Sequence, residues 1–414
     1  MNQGTSGHER VFLRRLVLKD YKSIGACDIK PAGFTAFVGP NGAGKSNILD
    51  SLRFVKESLR NSLEFAIRDR GGINEVRRRS GGHPRHFAMR LDLSLEDGSK
   101  ATFSFEIGAT TAGGFKVKRE ECILSGATAK RHHYRTRNGK LVEADLTLQS
   151  AVEPDRLYLS AVSAIPEFRP VYDALSLMGF YNINPDRIRD LQDPDPSDVL
   201  ARDGGNIASI LARLESSNGS VKRRIEEYLE AVVPGIKGAD TKTLGPKQTV
   251  EFRQEVPGAS NPWKFLAANM SDGTLRAFGV LVALFQGAPG RKGRVPLVGI
   301  EEPESALHPA AAATLSEAIL EAASHTQVLV TSHSPELLDN TKIPSDSIMA
   351  VVSEKGKTLV APIDSGNRQV LREGLYTPGE LLRIQEILPD SSQLPKNRQL
   401  NLFPKDPEGA AHNR

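Results

Sequence analysis

Apolar residues recur along this chain in two alternating rhythms. Phe34–Val38 (FTAFV) is a short, mostly apolar run, the pattern of a strand buried on both faces. Val11–Leu18 mixes apolar and basic positions and also reads as a strand. From Asn47 to Leu59 the spacing changes: Ile48, Leu49, Leu52, Val55 and Leu59 fall on one face of a predicted helix. Alternation returns from His86 to Ile107 around Asp97-Gly98, which predicts an antiparallel hairpin continued by further strands toward Val142. Helical patterns follow at Ile207–Leu214 and Val221–Val233, preceded by the breakers Pro185, Asp193–Ser197 and Gly204-Gly205. The last third predicts a helix at Gly273–Gln286, a strand at Val295–Ile300, a helix at Pro309–Ala323 and a strand at Gln327–Val330. Strands at Ile348–Val352 and Leu359–Ile363 flank a Lys355-Gly356 turn. The order predicts two lobes, residues 1–150 and 251–390, with a mostly helical insertion at 151–250 and a mobile, Pro- and Asn-rich tail at 391–414.

Composition narrows the class. The 414 residues are 39% hydrophobic and 25% charged, a globular balance. No apolar run approaches the roughly 18–20 residues of a membrane span, and the polar Met1–Arg10 segment lacks the apolar stretch of a secretion signal. Cys27 and Cys122 stand alone, which predicts neither a disulfide framework nor a zinc site and fits a reducing cytoplasm. A formal charge of +4 leans only weakly toward nucleic acid.

Three segments carry candidate chemistry. Gly39-Pro-Asn-Gly-Ala-Gly-Lys45-Ser46 matches GxxxxGK[ST] between a predicted strand and a predicted helix, the context that motif requires. Glycines let backbone N–H groups approach phosphate, and the helix N-terminus adds partial positive charge. Asn41, Gly42, Ala43, Gly44, Lys45, Ser46 and Asn47 are therefore candidate phosphate contacts, with Lys45 on the β/γ-phosphates and the Ser46 hydroxyl on Mg²⁺. Leu297–Glu304 (LVGIEEPE) is an apolar strand ending in carboxylates, a Walker B arrangement. Glu301 is a candidate for the Mg²⁺ shell and Glu302 for the base that polarises water. His333, at the end of the next strand, is placed to bond a γ-phosphate or that water.

The order of glycine loop, long insertion, Ser271-Asp272-Gly273, Walker B, Glu304–His308 and Ser332-His333 resembles the ABC-type ATPases of the SMC, RecF and OLD group. It is most similar to the stand-alone predicted ATPases related to anti-phage defence, matching over Val11–Leu59 and Asn269–Leu338. That resemblance implies an α/β P-loop NTPase fold: a two-lobed ATPase head with a mixed sheet, an antiparallel β subdomain and a helical insertion. It implies ATP and Mg²⁺ as cofactors, and a homodimer or higher oligomer in which Ser271, Asp272 and Gly273 of one copy cap the γ-phosphate on the other. Read without the resemblance, Ser271-Asp272-Gly273 is a helix cap. Glu301 stands where many relatives carry Asp, and no Gln lies between Ile48 and Lys100 where a Q-loop is expected. The acidic cluster of a Toprim nuclease is missing after His333, so the resemblance implies a separate effector protein, a nuclease, with double-stranded DNA as a further partner and no membrane role. RecF-like repair, or a slow-turnover scaffold holding a toxin, remain alternatives. Arg77–Arg79 and Lys130–Arg137 either contact phosphates or form solvated faces. Tyr21 either stacks near adenine or belongs to the core.

Overall fold

The computed structural model describes residues 12–79, 84–111, 113–126, 131–148, 153–287, 295–395 and 400–403. Its strands are β1 (Leu13–Tyr21), β2 (Ile24–Ile29), β3 (Phe34–Val38), β4 (His86–Ser94), β5 (Lys100–Ala109), β6 (Phe115–Ser125), β7 (Arg131–Arg137), β8 (Lys140–Ala144) and β9 (Gly179–Tyr181). Then follow β10 (Ile236–Leu244), β11 (Lys247–Gln254), β12 (Trp263–Leu266), β13 (Leu297–Glu301), β14 (Gln327–Ser332), β15 (Ile348–Glu354) and β16 (Lys357–Pro362). One mixed sheet runs β8-β7-β6-β5-β4-β1-β2-β16-β15-β3-β14-β13-β9, and β10-β11-β12 form a small second sheet.

The apolar runs behave as strands because both faces of the sheet's centre are covered. Phe34, Ala36 and Val38 face one core, with Ile300, Val330 and Ala350 from neighbouring strands. Phe37, Leu297, Leu329 and Met349 face the other. Helices Ile207–Ser217, Gly219–Val232, Asp272–Phe285 and Pro309–Ala323 contribute to the first core, and Lys45–Arg60 and Arg169–Ser176 to the second. A strand buried on two faces has no solvent side, so its sequence loses alternation. Toward β4–β8 the sheet is antiparallel, and alternation returns there as read from the sequence. Gln327 clasps the two regions: its amide oxygen accepts from the Leu13 N–H (2.7 Å) and its amide nitrogen donates to the carbonyls of Leu13 (3.1 Å) and Ala32 (2.9 Å).

Some expectations change. The stretch 151–250, read as mostly helical, also sends β9 into the main sheet and forms the β10–β11 hairpin. Three residues are too few to show a period, so β9 is invisible in the sequence. Tyr21 is a core residue: its hydroxyl donates to Asp50 Oδ2 (2.7 Å) and its ring meets Phe54 and Phe87 edge-on, which leaves it no face for a base. Of the tail read as mobile, Ser391–Gln393 forms a 3₁₀ turn, the Asn401 carbonyl accepts from Arg90 (3.0 Å), and Phe403 lies under the Arg119 guanidinium (3.9 Å). Residues 396–399 and 404–414 of that tail, with Lys130 of the basic run, lie outside the described residues. Cys27 and Cys122 are free and buried. No helix among the described residues is long and apolar enough to cross a membrane.

Glu120 ties the β subdomain to helix Tyr158–Val162. It accepts from the Tyr134 hydroxyl (2.7 Å) and from the N–H groups of Tyr158 (2.6 Å) and Leu159 (2.8 Å). Burial raises its pKa to about 7, against the pull of these three donors. The folded chain therefore binds a proton that the unfolded chain has released, and stability falls as pH rises from the unfolded value of 4.5 to about 7. Between about pH 5 and about pH 8, wild type should lose about 2–3 kcal/mol relative to Glu120→Gln in urea unfolding. Parallel pH curves for the two proteins would contradict this.

Candidate functional site

The glycine loop connects β3 to helix Lys45–Arg60. Its glycines are sterically required. A Cβ on Gly39 would sit 1.9 Å from the Val351 carbonyl oxygen, and one on Gly44, whose φ is +99°, would sit 2.0 Å from Thr358 Oγ1. Thr358 Oγ1 donates to the Ala43 carbonyl (2.8 Å) and bonds Ser23 Oγ (2.7 Å), which in turn accepts from Asn47 Nδ2 (2.7 Å). This network holds the loop from behind and leaves its front open. The helix it opens has no side-chain cap; the Asn47 N–H donates to the Gly44 carbonyl (3.1 Å), and the Lys45 and Ser46 N–H groups are available to an anion. Lys45 Nζ donates to the carbonyls of Gly39 (2.9 Å) and Pro40 (3.1 Å).

Strand register brings the other candidates to the same edge. β3, β14 and β13 are parallel neighbours, with Ser332 beside Val38 and Glu301 beside Thr331. The glycine loop, His333 and the carboxylates thus leave adjacent strands at their C-terminal ends, where open α/β sheets place ligands. His333 Nδ1 lies 3.1 Å from Glu302 Oε1. Glu302 has a φ of +45°, a conformation that costs about 1–3 kcal/mol and concentrates at functional sites. It is held by its own N–H on the Thr331 carbonyl (3.0 Å) and by Arg276, which donates to the carbonyls of Glu302 (3.1 Å) and Ile183 (2.8 Å). Burial pulls the Arg276 pKa down, and Glu302, Glu304 and Glu301 pull it back up. Burial likewise lowers Lys45, opposed by Glu302 and Glu304.

Arg202, which sequence reasoning missed, and Glu304, which it named without a role of its own, join this set. Arg202, just before the Gly204-Gly205 breaker, pairs with Glu301 Oε1 (3.1 Å). Glu304 is buried and accepts from Ser332 Oγ (2.6 Å), while its second oxygen has no partner. Burial raises its pKa. Beyond His333, Pro335, Val352, Leu382 and Ile387 give the start of the glycine loop an apolar wall around a pocket of about 470 Å³.

The Ser271–Gly273 loop stands apart. Ser271 caps helix Asp272–Phe285 by accepting from the Thr274 N–H (3.3 Å), Asp272 pairs with Arg189, and a Cβ on Gly273 would lie 2.7 Å from the Ala306 carbonyl. Among the described residues no hydrogen bond joins this loop to Gly39–Ser46 of the same chain. The basic runs are largely engaged: Arg78 is buried 4.0 Å from Asp20, Arg79 pairs with Glu75, His132 with Asp145, and Arg135 with Glu121 and Glu143.

The residues fit a metal-bound nucleotide. Ser46 is exposed and its hydroxyl has no hydrogen-bond partner among the described residues, and Glu301 supplies one oxygen donor nearby on the same sheet edge. That sparse set suits Mg²⁺, which takes one or two protein ligands plus phosphate oxygens and water. Among the described residues no cluster of three or more His, Cys, Asp or Glu forms a separate metal site.

A mixed sheet with the glycine loop, carboxylates and His333 at its C-terminal edge defines an ABC-type ATPase head of the SMC/RecF group. The chain belongs to the family described as "AAA domain, putative AbiEii toxin, Type IV TA system", which it matches over residues 34–339. It is similar to the chromosome partition protein Smc of Methanocaldococcus jannaschii, 52% identical over 46 residues that cover 11% of this chain and 4% of that protein. Structural maintenance of chromosomes protein 1 of Schizosaccharomyces pombe is 28% identical over 177 residues, 39% of this chain and 14% of that one. The DNA replication and repair protein RecF of Vibrio atlanticus is 44% identical over 58 residues, 13% and 16% of the two chains. The chain thus spans a small part of each of these relatives. Its fold matches the crystal structure of the SmcHead bound to the C-winged helix domain of ScpA, with a TM-score of 0.52, 16% identity, and coverage of 87% of this chain and 99% of that one. It also matches the Smc head domain with an extended coiled coil from Pyrococcus furiosus, with a TM-score of 0.52, 13% identity, and coverage of 88% and 99%.

Ser332→Ala would strand the buried Glu304 carboxyl without its donor. We expect a loss of about 1–3 kcal/mol in urea unfolding at neutral pH. An unfolding midpoint equal to that of wild type would mean that Glu304 is satisfied in another way.

Proposed function

We propose that the chain binds and hydrolyses ATP with Mg²⁺, and that two copies close head to tail around two nucleotides. Convergence of the glycine loop, Glu301, Glu302 and His333 on adjacent parallel strand ends carries this reading. Lys45 leaves the Gly39 and Pro40 carbonyls for the β- and γ-phosphates, joined there by backbone N–H groups of Asn41 to Asn47. Ser46 and Glu301 hold the bound metal, which neutralises phosphate charge. Glu302 takes the proton of the attacking water, and His333, hydrogen-bonded to Glu302, orients that carboxylate and the terminal phosphate. Ser271, Asp272 and Gly273 of the second copy complete the site by offering a helix N-terminus to the γ-phosphate. Their separation from the glycine loop of their own chain supports that arrangement.

Closure on ATP and opening after hydrolysis make the dimer a switch whose populations follow nucleotide state. The head acts with a separate effector, a nuclease, in anti-phage defence; the family description, which names a type IV toxin–antitoxin system, supports only the toxin–antitoxin setting. Relatives named for chromosome partition and for DNA replication and repair support a DNA-linked trigger.

Glu302→Gln should lower ATP turnover by about 10²–10⁴-fold, keep ATP binding, and accumulate an ATP-dependent dimer in light scattering. Unchanged turnover in Glu302→Gln, or DNA cleavage by the purified chain alone, would remove this reading.

A further inference from the structure

At the far end of the main sheet lies a second polar cavity. It occupies about 510 Å³ where the ends of β4, β5, β6 and β7 meet, with β1, β2, β16 and β15 between β4 and the glycine-loop strand. Arg85, Lys116, Lys118, Arg119 and Arg137 line it with one carboxylate, Glu106, and Glu121 pairs with Arg119 from outside the lining, so the cavity keeps an excess of positive charge. Elsewhere on these strands Arg90 pairs with Asp92, and Arg135 with Glu121 and Glu143. Here Arg85, Lys116 and Arg137 form no ion pair or side-chain hydrogen bond among the described residues.

The backbone is shaped to present these charges. Glu106 pairs with Arg119 and Ile107 with Val117, so Lys118 is the extra residue of a β-bulge, a device that re-aims a side chain. Its stem crosses Gly108, where an added Cβ would lie 2.6 Å from Lys118 Cε. Its Nζ then rests 3.0 Å from His86 Nδ1. Burial, followed by the nearby Lys118 charge, lowers the His86 pKa. A neutral His86 accepts one ammonium proton and leaves two for a ligand. Arg119 is stacked on Phe403 (3.9 Å) and its Nη2 lies 3.3 Å from Glu121, while its buried Nε has no partner.

We propose that this cavity is an anion site for phosphate groups, taking a ligand that presents two or more of them: either the backbone of a nucleic acid or a free polyphosphate. Unpaired like charges held this close repel one another, and a polyanion offsets the excess where a single carboxylate leaves most of it. The size suits a small ligand or a short backbone segment, and mixed Arg and Lys donors suit phosphate oxygens.

The test uses the full chain carrying Lys45→Ala, which silences the glycine loop, titrated with a short labelled duplex DNA by anisotropy and with sodium tripolyphosphate by calorimetry. Adding Lys118→Gln with Arg137→Gln should weaken at least one of the two ligands about tenfold or more. Loss for the duplex alone, with its salt slope reduced by about two, identifies the nucleic-acid source. Loss for tripolyphosphate identifies the free polyphosphate. Arg85→Gln with Lys116→Gln provides a second pair, and thermal melting checks the fold of each. Affinities for both ligands left unchanged by both folded pairs would overturn the proposal.

Discussion

The parallel hydrogen bonding of β3, β14 and β13 is the constraint on which the rest depends. Its register sets the start of the glycine loop, His333 and Glu301-Glu302 on one edge, although the loop lies far before the other two in sequence. Burial on both faces fixes that register, because a slip by one residue would turn every core side chain toward the wrong layer. Gln327, buried and bonded to Leu13 and Ala32, ties the same strand to the β subdomain. Packing far from the loop thus determines its chemistry.

Charge at this edge is arranged as a set of provisional partners. Lys45 rests on two carbonyls, Glu301 on Arg202, and Glu302 beside His333. On the proposed reading a phosphate and a metal ion compete for these groups, and exchanging one side-chain partner for another needs no rebuilding of the backbone. The backbone itself is firmly set: Arg276 fixes the carbonyls after β13, and Thr358 and Ser23 fix the loop from behind. Glu304 is the exception, a buried carboxyl with one oxygen unanswered, and it accounts for part of the field that Lys45 and Arg276 feel.

Much of this was legible in the sequence. The glycine loop, the carboxylate-ended strand and the strand before His333 announce themselves because buried parallel strands lose alternation and phosphate loops need glycine. The β4–β5 hairpin showed through its period of two and its Asp97-Gly98 turn. Arg202 and Arg276 did not show, because an arginine carries no sequence sign of the distant carboxylate or carbonyl it will meet. β9 was too short for a period, and Tyr21 looked available because nothing in the chain foretold that Asp50 would take its hydroxyl. The bulge at Lys118 was hidden for the same reason, since it exists only as a mismatch between two paired strands.

The most direct measurement is the structure of the full chain with Mg²⁺ and a non-hydrolysable ATP analogue. The account predicts Lys45 released from the Gly39 and Pro40 carbonyls onto the phosphates, Glu301 freed from Arg202 to face the metal beside Ser46, and Ser271 of a second copy over the terminal phosphate. Nucleotide bound elsewhere, with Lys45 still folded onto its own loop, would contradict it.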